Sequence, residues 1–338
     1  MNKYLKSVIV SLAIASILVS CTQQNKTEEY ALDGLVQGSY YHIVFYSTQE
    51  QRDIAKGGID SIFKAIDASI SLWQPSSIIN KVNDNKNVEL DSIFIDCFTA
   101  SQKISELTDG SLDCTVGGLV DAYGFAAKKK MTINQKQIDS LLQYVGYKNV
   151  RLKGKKLIKK YPQTQLDFNA IAQGYTSDKV GQYLSSKGIN NFIVDVGGEV
   201  IAKGKKKNGA LWRCAIEKPA KTADSDQEYS SYLELDNCAV VTSGSYRKYY
   251  TDDKGIRHSH TIDPKTGSSV THSLLSVSVV TKTSIEADGL ATAFMVMGLE
   301  NSRKWLSTHK NIGAYFICAS KDNSFDTYCT PNLKVKDL

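Results

Sequence analysis

Three stretches between residues 242 and 298 crowd hydroxyls, histidines, aspartates and glycines between apolar runs: TSGSYRKYY (242–250), HSHTIDPKTG (258–267) and EADGLATAFMVMG (286–298). A packed core does not need that mixture; a site that holds phosphate and a hard metal ion does. In the third stretch Leu290, Ala291, Ala293, Phe294, Met295, Val296 and Met297 predict a buried helix over 286–298, ended by Gly298. Asp288 and Thr292 are one helical turn apart and share a face. A carboxylate and a hydroxyl on one face are hard oxygen donors of the kind Mg²⁺ accepts. The competing reading makes Asp288 a first-turn partner of the helix dipole and bonds Thr292 back to a carbonyl one turn earlier. In the middle stretch His260 is a candidate general base, because a free imidazole titrates near neutrality. Against it stands a purely structural histidine. Asp263 before Pro264 reads as turn chemistry.

The elements that must position these groups are legible in outline. Residues 38–47 (GSYYHIVFYS) predict a strand, and Ile59, Phe63, Ile66 and Ile70 predict a helix over about 50–70 that Pro75 stops. Trp73, in SLWQPSSIINKVN from Ser71 on, is a core anchor by default, or else a platform for an aromatic ligand. A helix over 91–108 leads into DGSLDCTVGGLVDAYGF (109–125), whose glycines allow backbone to turn or to approach a ligand. A helix over 134–145 and a hairpin turning at Lys153-Gly154-Lys155 follow. In LDFNAIAQGYTSDKVGQYL (166–184), Asn169 is a plausible N-cap, and Ala172, Tyr175, Val180 and Leu184 make an apolar stripe. Such a helix start offers free N–H groups to phosphate. The strand 192–196 ends in Gly197-Gly198, yet neither the dinucleotide fingerprint nor the P-loop pattern occurs. Strands and turns over 199–242, a helix over 301–308 and strands over 312–318 and 325–328 complete an α+β chain. We read one compact domain without short-period repeats.

The N-terminus sets the compartment. Lys3 and Lys6 precede an apolar run over 8–19 that is too short to span a membrane and has the form of a secretory signal. Leu18-Val19-Ser20-Cys21 resembles a bacterial lipobox, in which cleavage before Cys21 leaves a lipid-bearing N-terminus. This predicts a signal peptide over 1–20, a lipidated Cys21 with a flexible tether over 21–31, and a catalytic domain over 32–338. The protein is then expected in the bacterial cell envelope, held on a membrane by lipid, with the domain outside the cytoplasm. The other six cysteines include no C-x-x-C pair, which argues against a zinc or thioredoxin-type motif. A net charge of +6 is mild for 338 residues, and the runs 128–130 and 205–207 read as solvated loops, so nothing calls for nucleic acid.

Eight ordered blocks resemble the FAD:protein FMN transferases, the ApbE flavin transferases: GSYYHI, SLWQPSSIINKVN, DGSLDCTVGGLVDAYGF, LDFNAIAQGYTSD, VDVGGEVIAKG, TSGSYRKYY, HTIDPKTG and EADGLATAFMVMG. The resemblance covers residues 34–318, and members are commonly exported lipoproteins. It implies an enzyme that takes FAD and, with Mg²⁺, moves the FMN half onto a Thr or Ser hydroxyl of a target protein, releasing AMP. Asp288 and Thr292 match the family's Mg²⁺ ligands, and Ala170 matches the position whose carbonyl completes that site. Asp167 and Gln173 match flavin-nucleotide contacts, and Trp73 an aromatic at the isoalloxazine. Gln37, Ser111, Leu112, Asp113 and Ile262 fall at further FAD contacts, and His260 matches the histidine that serves the transfer. Gln173 stands where Lys or Glu is usual, and Gly118 where Pro is common. The target pattern D-G-x-[ST]-G-A-[ST] is absent from the chain, so the implied acceptor is another exported protein, such as a subunit of a membrane redox pump. The alternatives are an FAD pyrophosphatase, with water replacing the acceptor, and a flavin-binding lipoprotein without turnover.

Overall fold

The computed structural model describes residues 27–125, 133–219, 228–245, 249–251, 257–320, 322 and 324–338. The segment 1–20 expected to be a signal peptide, Cys21 and the run 128–130 lie outside them. The strands are β1 (Glu28–Val36), β2 (Ser39–Ser47), β3 (Val150–Lys153), β4 (Lys156–Lys159), β5 (Phe192–Val196), β6 (Glu199–Lys203), β7 (Trp212–Glu217), β8 (Tyr229–Leu235), β9 (Ala239–Gly244), β10 (Tyr249–Thr251), β11 (Arg257–Ser259), β12 (Leu274–Thr281), β13 (Gly313–Ala319), β14 (Phe325–Cys329) and β15 (Val335–Asp337). The helices are α1 (Gln49–Ile70), α2 (Ile78–Asn83), α3 (Ser92–Leu107), α4 (Gly117–Ala122), α5 (Gln135–Leu142), α6 (Ala172–Ser186) and α7 (Ser284–Leu306).

An eight-stranded sheet in the order β1-β2-β5-β6-β9-β12-β13-β14 forms the centre, and every neighbouring pair in it is antiparallel. Alternation along the strands gives it two apolar faces. Val194 and Val196 of β5 and Val241 of β9 turn toward the helices, whereas Val200, Ala202 and Val240 meet a small sheet, β15-β8-β7. From that small sheet Trp212, Ile216, Leu233 and Leu235 cover the second face. The expected α+β class and single compact body are what the chain adopts.

α1 begins with a capping box, in which Thr48 accepts from the Gln51 backbone and the Gln51 side chain accepts from Thr48. It buries the stripe read from the sequence, Ile59, Phe63, Ile66 and Ile70, together with Ala55, and ends at Ile70, five residues before Pro75. α6 lies on β5 and β6, and α7 lies on β9 and β12, so the two run beside each other across the sheet. Inside α7, Gly298 has φ +72 and ψ 174, a non-helical conformation suited to glycine that ends the first helical segment where expected. The strand β1 starts at Glu28, paired with Ser47, so residues 28–31 belong to the sheet and not to the tether predicted over 21–31. Gln37 and Gly38, both at positive φ, make the two-residue turn into β2. Among the described residues no helix is long and apolar enough to cross a membrane, and the six described cysteines form no disulfide.

Candidate active site

The site forms where α7, the turn before α6 and the 259–270 segment meet. The last of these is fixed from several sides. Ser269 Oγ donates to the Ser259 carbonyl, Val270 N to the Thr261 carbonyl, and the Tyr123 hydroxyl to the Gly267 carbonyl. Ile262 is buried with Leu119 of α4 and Ile138 of α5. Asp263 performs the turn chemistry expected of it: its carboxylate accepts from Lys265 N and its carbonyl from Gly267 N. This presents His260, half-buried and edge-on to the Phe125 ring at 6.4 Å, to a cavity.

That cavity, of about 120 Å³, is walled by Ser111, Leu112, Asp113, Asp167, Ala170, His260, Ile262 and Thr292 of the residues singled out in the sequence. Ser101, Thr261 and Pro264 join the wall and were not foreseen. The volume suits one phosphate-sized group, well below the hundreds of cubic ångströms that a whole organic cofactor needs. Asp113 is a brace for the wall: its carboxylate accepts from Thr115 N and Oγ1 and from Tyr147 N. Asp167 accepts from the backbone N and side-chain Nδ2 of Asn169. Burial pushes both carboxyls up, and these bonds pull them partly back.

Four expected residues lie off the wall. Asp288 sits one turn behind Thr292 and is 5% exposed. Gln37 pairs with Thr176 Oγ1 of α6. Gln173 packs at Gly197. Trp73 is 58% exposed, which overturns the default reading of a core anchor. Asn169 is not the N-cap of α6: the helix starts at Ala172, its cap residue Ile171 makes no side-chain bond, and Asn169 Nδ2 donates to Asp167.

Three oxygens at this junction keep lone pairs to spare. In a regular helix start Gly174 N would donate to the Ala170 carbonyl. Here it donates to Asp288 Oδ2 at 3.0 Å, and among the described residues the Ala170 carbonyl accepts no hydrogen bond. Thr176 and Thr108 bond back to the carbonyl one turn earlier, at 2.7 Å each. Thr292 makes no such bond, nor any other among the described residues, which removes the competing reading of its hydroxyl. Asp288 has no ion-pair partner there either. Burial pushes its carboxyl well above the usual range; the Gly174 N–H opposes this and the neighbouring Asp178 adds to it. A buried carboxylate without a cation is costly, and a divalent ion would offset that cost. An unpaired carbonyl, a free hydroxyl and such a carboxylate suit Mg²⁺, which takes oxygen ligands and keeps several waters.

The chain is similar throughout to known proteins. The ApbE family profile matches residues 37–316. The FAD:protein FMN transferase of Vibrio cholerae is 32% identical over 330 residues, covering 96% of this chain and 97% of the relative. The FAD:protein FMN transferase of Escherichia coli K12 is 30% identical over 342 residues, covering 96% of each. Among solved structures, the flavin transferase ApbE from Vibrio cholerae superposes with a TM-score of 0.80 at 29% identity, covering 90% of this chain and 98% of that one. The apo form of the Pseudomonas stutzeri flavinyl transferase ApbE also gives 0.80, at 30% identity and with 92% and 96% covered. With the family profile spanning residues 37–316, and so every segment of the site, this chain belongs to the ApbE family.

Proposed function

We propose that the chain transfers the FMN half of FAD to a Thr or Ser hydroxyl of an exported protein, with Mg²⁺, and releases AMP. The observation that carries this is the trio of spare oxygens on Asp288, Thr292 and Ala170 beside a phosphate-sized cavity that His260 also faces. The acceptor oxygen attacks the phosphorus on the FMN side of the pyrophosphate. A P–O bond forms there as the bond to the AMP oxygen breaks, and His260 takes the hydroxyl proton. Asp288, Thr292 and the Ala170 carbonyl would hold Mg²⁺, which when bound would neutralise charge on the phosphates, and the rigid 259–270 turn keeps His260 facing the cavity. Asp113 and Asp167 fix the two wall loops. Trp73, exposed and aromatic, supplies a stacking face for the isoalloxazine outside the cavity.

The test is His260→Ala. Loss of a general base costs typically about 10²- to 10⁴-fold in rate. The variant is expected to lose FMN transfer by that factor while FAD quenching titrations stay within about twofold, since His260 is not among the residues that hold the ion. Raising the pH should restore part of the rate by ionising the acceptor. Unchanged transfer would remove His260 from the mechanism.

A further inference from the structure

α6 and α7 exchange carboxylates where they cross. From α6, Gly174 N donates to Asp288 of α7 at 3.0 Å. From α7, Ser284 N and Ile285 N donate to Asp178 of α6, at 2.7 and 3.0 Å. The spacing is the same on both sides: Asp178 is one turn beyond Gly174, and Asp288 one turn beyond Ser284. Each helix start is therefore capped by the other helix's aspartate. Neither has a cap of its own, because Ile171 cannot supply one and the Thr283 side chain makes no capping bond. The crossing is tight. A Cβ on Gly174 would lie 2.6 Å from the Ser284 carbonyl oxygen and 2.8 Å from Asp288 Cβ, so only glycine permits this approach. Asp178 is 5% exposed, has no ion-pair partner among the described residues and does not line the cavity.

We propose that Asp178 is a positioning residue for the metal site: by holding the first two N–H groups of α7 against α6, it sets the distance between the Ala170 carbonyl on one side and Asp288 and Thr292 on the other. The inference rests on the metal reading above. The reciprocal bond is also what frees the Ala170 carbonyl, because Gly174 N serves Asp288 instead. Asp178 thus acts through the ligands and touches neither ion nor substrate. An uncharged amide in its place accepts one N–H and turns its own N–H₂ toward the other, which opens the crossing. Losing a residue that holds metal ligands in place typically weakens metal binding about 10- to 100-fold.

The experiment counts free Mn²⁺ by electron paramagnetic resonance against the full chain without FAD, in the unaltered protein, Asp178→Asn and Asp178→Glu. FAD binding without metal is measured in parallel. The expected result is a Mn²⁺ Kd raised about 10- to 100-fold in Asp178→Asn, partial recovery in Asp178→Glu, and FAD affinity within about twofold throughout. A folded Asp178→Asn that binds Mn²⁺ as the unaltered protein does would overturn the proposal, and a general loss of FAD affinity would reduce Asp178 to a stabilising residue. If Asp178→Asn does not fold, amide exchange on the unaltered protein decides: adding Mg²⁺ should slow exchange at Ser284 and Ile285, and no change there overturns the inference. Failure of the unaltered protein to bind Mn²⁺ at all would instead remove the metal reading, and this inference with it.

Discussion

Thr292→Val separates the two readings of the metal helix most sharply. The substitution keeps the branched shape and removes the hydroxyl. Thr and Val have nearly equal helix propensities, so the backbone contributes little difference. Because Thr292 Oγ1 makes no hydrogen bond among the described residues, its removal strands no partner, and the stability change should stay within about 0.5 kcal/mol. Had the hydroxyl bonded back to the Asp288 carbonyl, the loss would be roughly 0.5–1.5 kcal/mol. For the ion the effect is larger. One of three protein donors disappears, and its loss should weaken Mg²⁺ at least as much as loss of a supporting contact, about 10- to 100-fold. The assay pairs urea unfolding without metal with a Mg²⁺ titration of AMP release at saturating FAD. The expected pattern is an unchanged unfolding midpoint and a Mg²⁺ half-saturation raised by that factor. A variant that is destabilised by 1 kcal/mol or more yet keeps its Mg²⁺ dependence would show that Thr292 serves the helix and not the ion.

Three further outcomes follow from particular contacts. Trp73→Ala removes an exposed ring and should change stability by less than about 0.5 kcal/mol, while FAD affinity, read by fluorescence quenching, falls by roughly 1–3 kcal/mol as lost stacking; equal affinity would detach Trp73 from the flavin. Burial raises Asp178 from 3.8 to about 6, against the pull of the Ile285 and Ser284 N–H groups. Its folded pKa lies above its unfolded one, so the stability it contributes is complete below pH 4 and lost as pH rises through about 6. The metal-free protein should therefore lose up to roughly 3 kcal/mol across that window, and Asp178→Asn should flatten the slope of urea midpoint against pH; equal slopes would refute the shift. Cys21→Ser should abolish incorporation of labelled lipid, and equal labelling would dismiss the lipobox.

The sequence exposes some parts of this site and hides others for definite reasons. The α7 segment is legible because an apolar run ending in Gly298 reports both a buried helix and its stop, and the Asp288–Thr292 spacing fixes a shared face. His260, Ile262 and Asp263 are legible as a turn-rich cluster beside it. Asp178 is not, because its partners Ser284 and Ile285 lie 106 and 107 positions away, and capping between helices leaves no local pattern. Asn169 misleads for the opposite reason: its type and place suit an N-cap, but the helix begins three residues on, at Ala172, with Ile171 at the cap. Trp73 shows the limit of residue averages, since most tryptophans are buried and this one stands in solvent. The strand β15 escapes notice because three residues are too few for a pattern, and β1 because Glu28 and Glu29 open it like a tether, although Leu32 and Val36 farther along are buried in the core.

The central claim is the transfer itself. Purified protein is incubated with FAD, Mg²⁺ and a peptide carrying D-G-x-[ST]-G-A-[ST], and the products are weighed by mass spectrometry. The account predicts peptide carrying one FMN through its Thr or Ser, one AMP released for each, and neither product in the presence of EDTA. AMP and free FMN with unmodified peptide would make the protein a pyrophosphatase, and FAD bound but intact would make it a carrier; either result contradicts the account.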